Sequence, residues 1–488
     1  MKQKHTVLTL LCLASLLLTI SCGDSQSAGT KDTQAPTKSD GTAAVTDADS
    51  APDPYESIRA RLDEGIDFGN TPFNIISYVS ETWDIYLAPE GENGETLNDA
   101  AFRRNTEVEE LLGIDITAIY HDSYVNQFRT AVLAGDSTAY DLICFWSPGD
   151  YSGLITDQIV YDWTQLPYVN LDADWYNKTA NTAYSINSKQ YFAVSDFTYP
   201  VHQHFRILYN KELFRALQYD STPYDDVYAG TWTFGRMLEY SKGLYTDLDG
   251  DGKAGLGDRY GIVLNNAFCS MFPLSAGELP VSCGEDGFTF NLFSDRIVDI
   301  VTDVVGLSEN PDAFVSRQSN NEQYKIFEAG NALFEPYASD PLLLRNLEFD
   351  FGYLPYPKYD EGQQDYVVVA AGGLMAVPNS LTDPERTGII MEALAIASHN
   401  YVADAFVEQY IENKILRDED SQKIYRLMRS LQTYDLSYNI DPSTKLANYA
   451  YYSYFMNKRD ANVASYYEKI IKVVEKKYSA MYDLIVSQ

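Results

Sequence analysis

Cysteine is scarce, with five in 488 residues. That excludes a disulfide-dense scaffold and a Cys-based zinc fold. Basic residues are few as well: 36 Lys and Arg face 70 Asp and Glu, for a formal net charge of −34. A surface so acidic repels a nucleic-acid backbone and an anionic membrane surface. No apolar run is long enough to span a bilayer. The longest near the N-terminus, Val7 to Ile20, has fourteen residues, against roughly 20 for a spanning helix. Val367 to Val377 is shorter still and holds two glycines, which suits a buried strand and turn. No H-E-x-x-H, G-x-S-x-G or P-loop occurs, and no repeat of solenoid period. What is abundant is Tyr, at 39 residues, beside 22 Phe and 5 Trp. A hydrophobic fraction of 45% over this length suits two or three globular domains.

The N-terminus sets the compartment. Lys2 and Lys4 precede the apolar run, and Ser21-Cys22-Gly23 closes it. This is the pattern of a signal peptide over residues 1–21. Leu18-Thr19-Ile20-Ser21-Cys22 resembles a bacterial lipobox, with Thr19 where Leu is usual and Leu18 one place early. The resemblance implies a diacylated Cys22 at the mature N-terminus; the alternative is ordinary secretion with Cys22 a bystander. Residues 23–54 contain no aromatic, no Leu or Ile and one Val. Such a stretch cannot offset the entropy of ordering, so a flexible tether is expected from 22 to 54.

The body alternates strands and helices. Phe73–Val79 reads as a strand. A helix begins near Asn98–Asp99, shows Phe102, Val108, Leu111 and Leu112 on one face, and stops at Gly113. Ile114–Tyr120 alternates as a strand; Tyr124, Val125, Phe128, Val132 and Leu133 form a helical stripe ended by Gly135; Tyr140–Phe145 is a third strand. That order predicts a parallel sheet with helices on both faces and ligands at the carboxyl ends of the strands. Tyr191–Val194, Ile207–Asn210, Gly261–Leu264 and Tyr366–Ala376 read as further strands. Lys211–Phe214, Trp232–Tyr240, Ile389–Ala397, Tyr401–Asn413, Ser421–Gln432 and Val463–Val486 read as helices.

A set of short segments, in order along the mature chain, carries a family resemblance. They are Gly113-Ile114-Asp115-Ile116, Ala139-Tyr140-Asp141-Leu142, Ile207 to Phe214, and Thr231-Trp232-Thr233-Phe234. Gly352 to Pro357, Gly372 to Pro378, and Lys414 to Ser421 with Arg417-Asp418 follow. Together with the lipobox and tether they resemble a carbohydrate-type solute-binding lipoprotein of a bacterial ABC importer. The resemblance implies an α/β, two-lobe periplasmic-binding-protein-like (type II) fold with a hinge and extra C-terminal helices. By it, lobe 1 spans residues 55–200 plus 368–413 and lobe 2 spans 201–367 plus 414–488. The chain crosses near Pro200, Val367 and Asn413, and the lobes close on a ligand held in the cleft. It also implies ABC permease subunits as partners, a monomer anchored by lipid on the outer face of the cell membrane, and no catalysis. In a bacterial host the Asn177-Lys178-Thr179 sequon has no meaning.

The sharpest single motif is Asp247-Leu248-Asp249-Gly250-Asp251-Gly252 with Asp258 six residues on. It fits the calcium-loop pattern except that its last ligand is Asp. Calcium takes six to eight oxygens. Asp247, Asp249, Asp251, the Lys253 carbonyl and Asp258 are the candidate donors, and the expected role is structural. The alternative is a solvated acidic turn. His202 and His204 share a strand face but lack a third ligand, and His121 and His399 are isolated. Cys269 and Cys283 are separated widely enough to leave a disulfide open, and Cys144 sits in an apolar strand.

Sugar binding calls for aromatic faces against pyranose C–H faces, and for carboxylates or amides against hydroxyls. The candidates on loops after strands are Glu81, Trp83, Trp146, Ser147, Asp196, Asn265, Asn266 and Tyr337, with Gly373 allowing close backbone approach. Trp163, Trp175 and Trp232 fit structural roles. The leading expectation is a binding protein that delivers an oligosaccharide to a permease. Its rivals are a surface glycoside hydrolase using two carboxylates, a peptide- or other solute-binding protein, and a structural surface lipoprotein.

Overall fold

Phe73, Ile75 and Ile76 are buried in β1 (Thr71–Ser77), the centre of the first sheet. The structure, a computed structural model, describes residues 53–79, 86–145, 149–201, 203–317, 322–337 and 341–487. β1 pairs in parallel with β2 (Ile114–Tyr120) and with β3 (Leu142–Phe145), in registers Thr71 to Ile114 and Ile75 to Leu142. The helix Thr96–Leu112 connects β1 to β2 and buries Val108 and Leu112. Each such apolar side chain contributes about 1.5–3 kcal/mol. Gly113 ends the helix in the left-handed region at φ 62°, its N–H donating to Glu109 O. The helix starts at Thr96 rather than at Asn98–Asp99. Asn98 and Asp99 instead hold the preceding loop: Asn98 Nδ2 donates to Gly91 O, and Asp99 accepts from Asn93 N and Gly94 N. The helix Tyr124–Leu133 connects β2 to β3.

The second sheet has the order β11-β5-β10-β6-β9. Its strands are β5 (Arg206–Asn210), β6 (Tyr260–Asn265), β9 (Ala313–Ser316), β10 (Ala332–Tyr337) and β11 (Phe351–Pro355). β6, β9 and β10 run parallel, whereas β5 and β11 are antiparallel to their neighbours. Asn210 caps the helix Lys211–Ala216 by accepting from Glu212 N and Leu213 N. Thr233 caps Phe234–Ser241, so Trp232 precedes that helix; its indole donates to Pro355 O. A separate hairpin joins β7 (Val281–Gly284) to β8 (Gly287–Phe290).

Between the two sheets lies a third, of three short strands: β14 (Gln432–Thr433), β12 (Val368–Ala371) and β4 (Gln203–His204), with β12 in the middle. Tyr366–Ala376 is therefore not one strand. Gly372 and Gly373, at φ 96° and 71°, break it, and β13 (Leu374–Ala376) turns off to pair antiparallel with β3 in the first sheet. Only glycine adopts two such successive conformations without strain. Tyr191–Val194 is not a strand either; it contributes one bridge, Ala193 to Met375.

The helix Pro384–Ser398 and the wide turns His399–Ala403 and Ala405–Ile415 pack on Thr96–Leu112, while the next helix, Glu419–Ser430, packs on β11. The last helix, Val463–Val486, touches both sides. Tyr482 OH reaches Asn187 Oδ1 at 3.4 Å and Glu285 O at 3.1 Å.

Candidate functional site

Both large sheets present carboxyl ends of parallel strands, the edge where open α/β sheets hold ligands. On the first sheet the edge lies at Ser77, Tyr120 and Phe145. Glu81, Trp83, Trp146 and Ser147 lie outside the described residues; the chain that leads into them does not. Tyr78 and Val79, leaving β1, are 38% and 47% exposed, unusual for large apolar residues beside a core. From Tyr78 a run of rings leads inward: to Tyr124 at 6.1 Å, then Phe145 at 6.3 Å, then Tyr151 at 4.4 Å and Phe192 at 5.5 Å. Only Tyr78 of these rings is exposed, and Tyr124, Phe145, Tyr151 and Phe192 are buried behind it. The edge is an aromatic shelf of one exposed ring on a buried aromatic backing, and that ring is the one placed to stack against flat C–H faces.

Where the chain resumes after this shelf, Arg104 holds it. Arg104 is fully buried on Thr96–Leu112; its Nη2 donates to Tyr86 O at 2.6 Å and Leu87 O at 2.9 Å, and its guanidinium lies 4.6 Å from the Phe197 ring. Burial pulls the guanidinium down to about 9. The sequence reading passed over Arg104 because a buried Arg leaves no signature in a helical pattern.

The Leu374 to Phe145 pairing sets Gly372–Gly373 beside the exit of β3. Thr198 Oγ1 donates to Gly373 O at 2.6 Å, which brings Asp196 into the same corner. Asp196 is committed to His399, 2.7 Å away. Burial raises the Asp196 carboxyl, and its bond to Asp196 raises the His399 imidazole.

On the second sheet the edge lies at Asn265, Ser316 and Tyr337. Asn265 is buried and caps the helix Asn266–Cys269, accepting from Phe268 N. Asn266 Nδ2 donates to Asn457 Oδ1 at 2.9 Å. The Tyr337 ring is buried 4.9 Å from the Arg206 guanidinium, whose other face meets Tyr353 at 5.1 Å. These contacts hold all three candidates in the edge. His204 likewise packs on Tyr425, and His202 lies outside the described residues. Cys144, Cys269 and Cys283 are free thiols.

Two residues back along β10, Glu335 is buried beside Gln323, whose Nε2 donates to Oε1 at 3.3 Å; its Oε2 has no partner among the described residues. Burial holds the Glu335 carboxyl well above the usual range. An unfolded Glu loses its proton near pH ~4.3. Above that pH the folded chain keeps a proton that the unfolded chain has lost, so stability falls as pH rises through the window. Glu335→Gln should remove that slope. Urea midpoints of the variant and the parent are expected to agree near pH 4 and to favour the variant at pH 8. Parallel pH profiles for the two proteins would refute a neutral Glu335.

Asp247, Asp249 and Asp258 bring one carboxylate oxygen each within 4.8 Å of one another, the one such acidic or metal-ligating group among the described residues. Backbone N–H groups set these carboxylates: Asp258 accepts from Leu248 and Gly255, Asp247 from Gly250 and Gly252, and Asp249 from Asp251. Asp251 accepts from Lys253 N. An all-oxygen donor set of this kind fits a hard cation.

Sequence reading also passed over the segment 435–450, which ties the two edges together. Tyr151 N donates to Asn439 O at 2.8 Å and Ser152 Oγ to Asp441 O at 3.0 Å on one side. Just beyond it, Ser453 and Asn457 bond Ser270 and Asn266 on the other. Asn448 and Tyr449 both take positive φ, 54° and 52°, and the Tyr449 ring lies 6.4 Å from Phe205.

A family model described as bacterial extracellular solute-binding protein matches residues 90–386. No curated protein matches the chain. Among solved structures, a cyclo/maltodextrin-binding protein complexed with maltotetraose is similar at 13% identity and TM-score 0.56, over 85% of this chain and 97% of that one. The galacto-N-biose/lacto-N-biose I-binding protein of a Bifidobacterium longum ABC transporter, in complex with lacto-N-biose, gives 13% and 0.55 over 85% and 99%. An ABC substrate-binding protein from Listeria monocytogenes in complex with cycloalternan gives 14% and 0.51 over 85% and 99%. Likeness at these identities shows the fold, and it is the two-lobe, type II one.

Proposed function

The chain belongs to the bacterial extracellular solute-binding proteins, and from that premise we propose that it captures a carbohydrate, an oligosaccharide by preference, and delivers it unaltered to an ABC importer. The observation that carries this reading is the exposed Tyr78 ring, backed by the buried rings of Tyr124, Phe145 and Tyr151, at the exits of β1 and β3, with a second parallel edge joined to it through a three-stranded linking sheet. The solved structures of the same fold named above hold oligosaccharides. Two rigid edges joined by strands of two to four residues suit a hinge. The lobe boundaries follow: residues 55–200 with 368–413, and 201–367 with 414–488. The change of packing partner between Ala405–Ile415 and Glu419–Ser430 supports the last boundary. Calorimetry with maltose-, galactose- and glucose-based oligosaccharides tests the reading. Saturable heat with one class and full recovery of unchanged sugar is expected. Silence across the panel alongside binding of peptides, or recovery of cleaved sugar, would overturn it.

The same proposal places the protein on the outer face of the membrane through lipid on Cys22, as a monomer, with permease subunits as its partners. It also assigns a structural calcium to Asp247, Asp249 and Asp258, with Asp251 and the Lys253 carbonyl as further donors. The loop precedes β6 directly, so the cation would brace that strand's entry. Calcium is expected to raise the melting temperature in a saturable way, and Asp249→Asn to abolish the rise without disturbing sugar binding. A melting temperature indifferent to both calcium and chelator would remove the assignment.

A further inference from the structure

Lys358 is 5% exposed, yet its ammonium has no carboxylate within ion-pair distance among the described residues. The Tyr366 ring lies 5.7 Å from Nζ. The backbone leaves the residue little room to move: Lys358 N donates to Trp232 O at 3.1 Å, and Phe234 N donates to Lys358 O at 2.7 Å. Two of the nearby acids are engaged elsewhere. Asp226 holds Arg236 and Tyr240, and Asp360 holds Arg296 at 2.6 Å. Lys211 shows the contrast, since its less buried ammonium has Asp418 at 2.7 Å.

The side chain borders a cavity of about 360 Å³, walled also by Gly230, Thr231, Glu361, Gln363 and Gln364. That is far more than the ~30 Å³ of one water. Gly230 keeps the ammonium reachable: a Cβ there would lie 3.5 Å from Nζ. Gln363 is spent on the loop itself, donating to Ser275 O and Asp365 O. An ammonium that borders a solvent-reachable cavity and has no carboxylate partner gains a charge-assisted hydrogen bond when an anion meets it. Glu361 also borders the cavity but is exposed, so it remains hydrated.

We propose that this cavity is a second ligand site, which binds a small oxyanion of phosphate, sulfate or carboxylate type on the Lys358 ammonium. It is walled by the turn after the helix Pro223–Ala229 and by the loop 358–364, and none of its lining residues is among the sugar-contact candidates. A bound anion would tie that turn to that loop. The rival reading is that Lys358 only neutralises the carboxyl end of the short helix Pro223–Ala229, which needs no ligand.

The experiment is thermal unfolding and calorimetry of the full-length mature protein with inorganic phosphate, then sulfate and acetate, at constant ionic strength balanced by chloride. A saturable rise in melting temperature with phosphate is expected, and Lys358→Gln should abolish it. Gln364→Glu, at an exposed position, should weaken phosphate binding about tenfold and leave the phosphate-free melting temperature in place; it decides the matter if Lys358→Gln does not fold. The ranking of phosphate, sulfate and acetate identifies the class of anion. No saturable rise, or a rise of equal size in the parent and Lys358→Gln, overturns the site and leaves Lys358 as a helix-end charge. Sugar binding is read separately, and its failure would not touch this result.

Discussion

Cys22→Ser should move the protein from the membrane fraction into the medium almost completely. Each buried methylene of an acyl chain contributes about 0.8 kcal/mol, so one chain gives marginal binding and two or three hold a protein for its lifetime. Nothing else described in the chain competes with that anchor. No helix among the described residues is long and apolar enough to cross a membrane, and the net charge of −34 opposes adsorption to anionic lipid. The check is fractionation of cells expressing either form, with radiolabelled palmitate incorporation as the chemical readout. Label in the parent and none in the variant is expected, with the variant in the supernatant. Equal retention of both forms on the membrane would show that Cys22 carries no lipid and that export ends in some other attachment.

Elements with a local cause were legible in the sequence. Val463–Val486 is helical over the whole span its apolar stripe marked. Ile114–Tyr120 alternates in the sequence and pairs along its full length. Gly113 stops its helix because the left-handed conformation there is open to glycine and strained for others. What escaped has a non-local cause. Tyr191–Val194 has strand composition, but among the described residues only Ala193 forms a β-bridge, to Met375, far along the chain. The break at Gly372–Gly373 depends on β12 joining the linking sheet while β13 joins the first.

The site divides the same way. Asn265 and Asn266 are candidates by their expected place after a strand; Asn265 is the last residue of β6 and Asn266 the first of the next helix. Their amides cap a helix and bond Asn457, a pairing across a long sequence separation that no spacing rule contains. Tyr337 was chosen as a ring on a loop; it is instead one side of an Arg206 sandwich closed by Tyr353. Polar residues at a strand's end thus split between meeting ligand and holding the end in place. Composition cannot separate the two, because both demand the same donors, acceptors and rings.

Arg104→Leu shows how far the framework reaches into function. Arg104 is the far anchor of the loop that leaves β1 at Tyr78, since it grips Tyr86 O and Leu87 O while Nε donates to Asn105 Oδ1. Leucine fills part of the volume and supplies no donor. Tyr86 O loses the guanidinium donor at about 1–3 kcal/mol, Leu87 O keeps its bond from Asn105 Nδ2, and the contact with Phe197 goes too, for a total on the order of 2–4 kcal/mol. With that anchor gone Tyr86 and Leu87 lose their fixed place beyond the exit of β1, and affinity for the proposed sugar should fall at least about tenfold. Arg104→Lys keeps a charge but one point-like donor group in place of the planar fork, so it should fall between the two. Urea midpoints at pH 7 read the first effect and sugar calorimetry the second. The calcium response at Asp247–Asp258, which lies on the second-sheet side, should stay as in the parent. A variant equal to the parent in both midpoint and affinity would mean that Tyr86 and Leu87 are held by their own packing, and the aromatic shelf would then need no support from Thr96–Leu112.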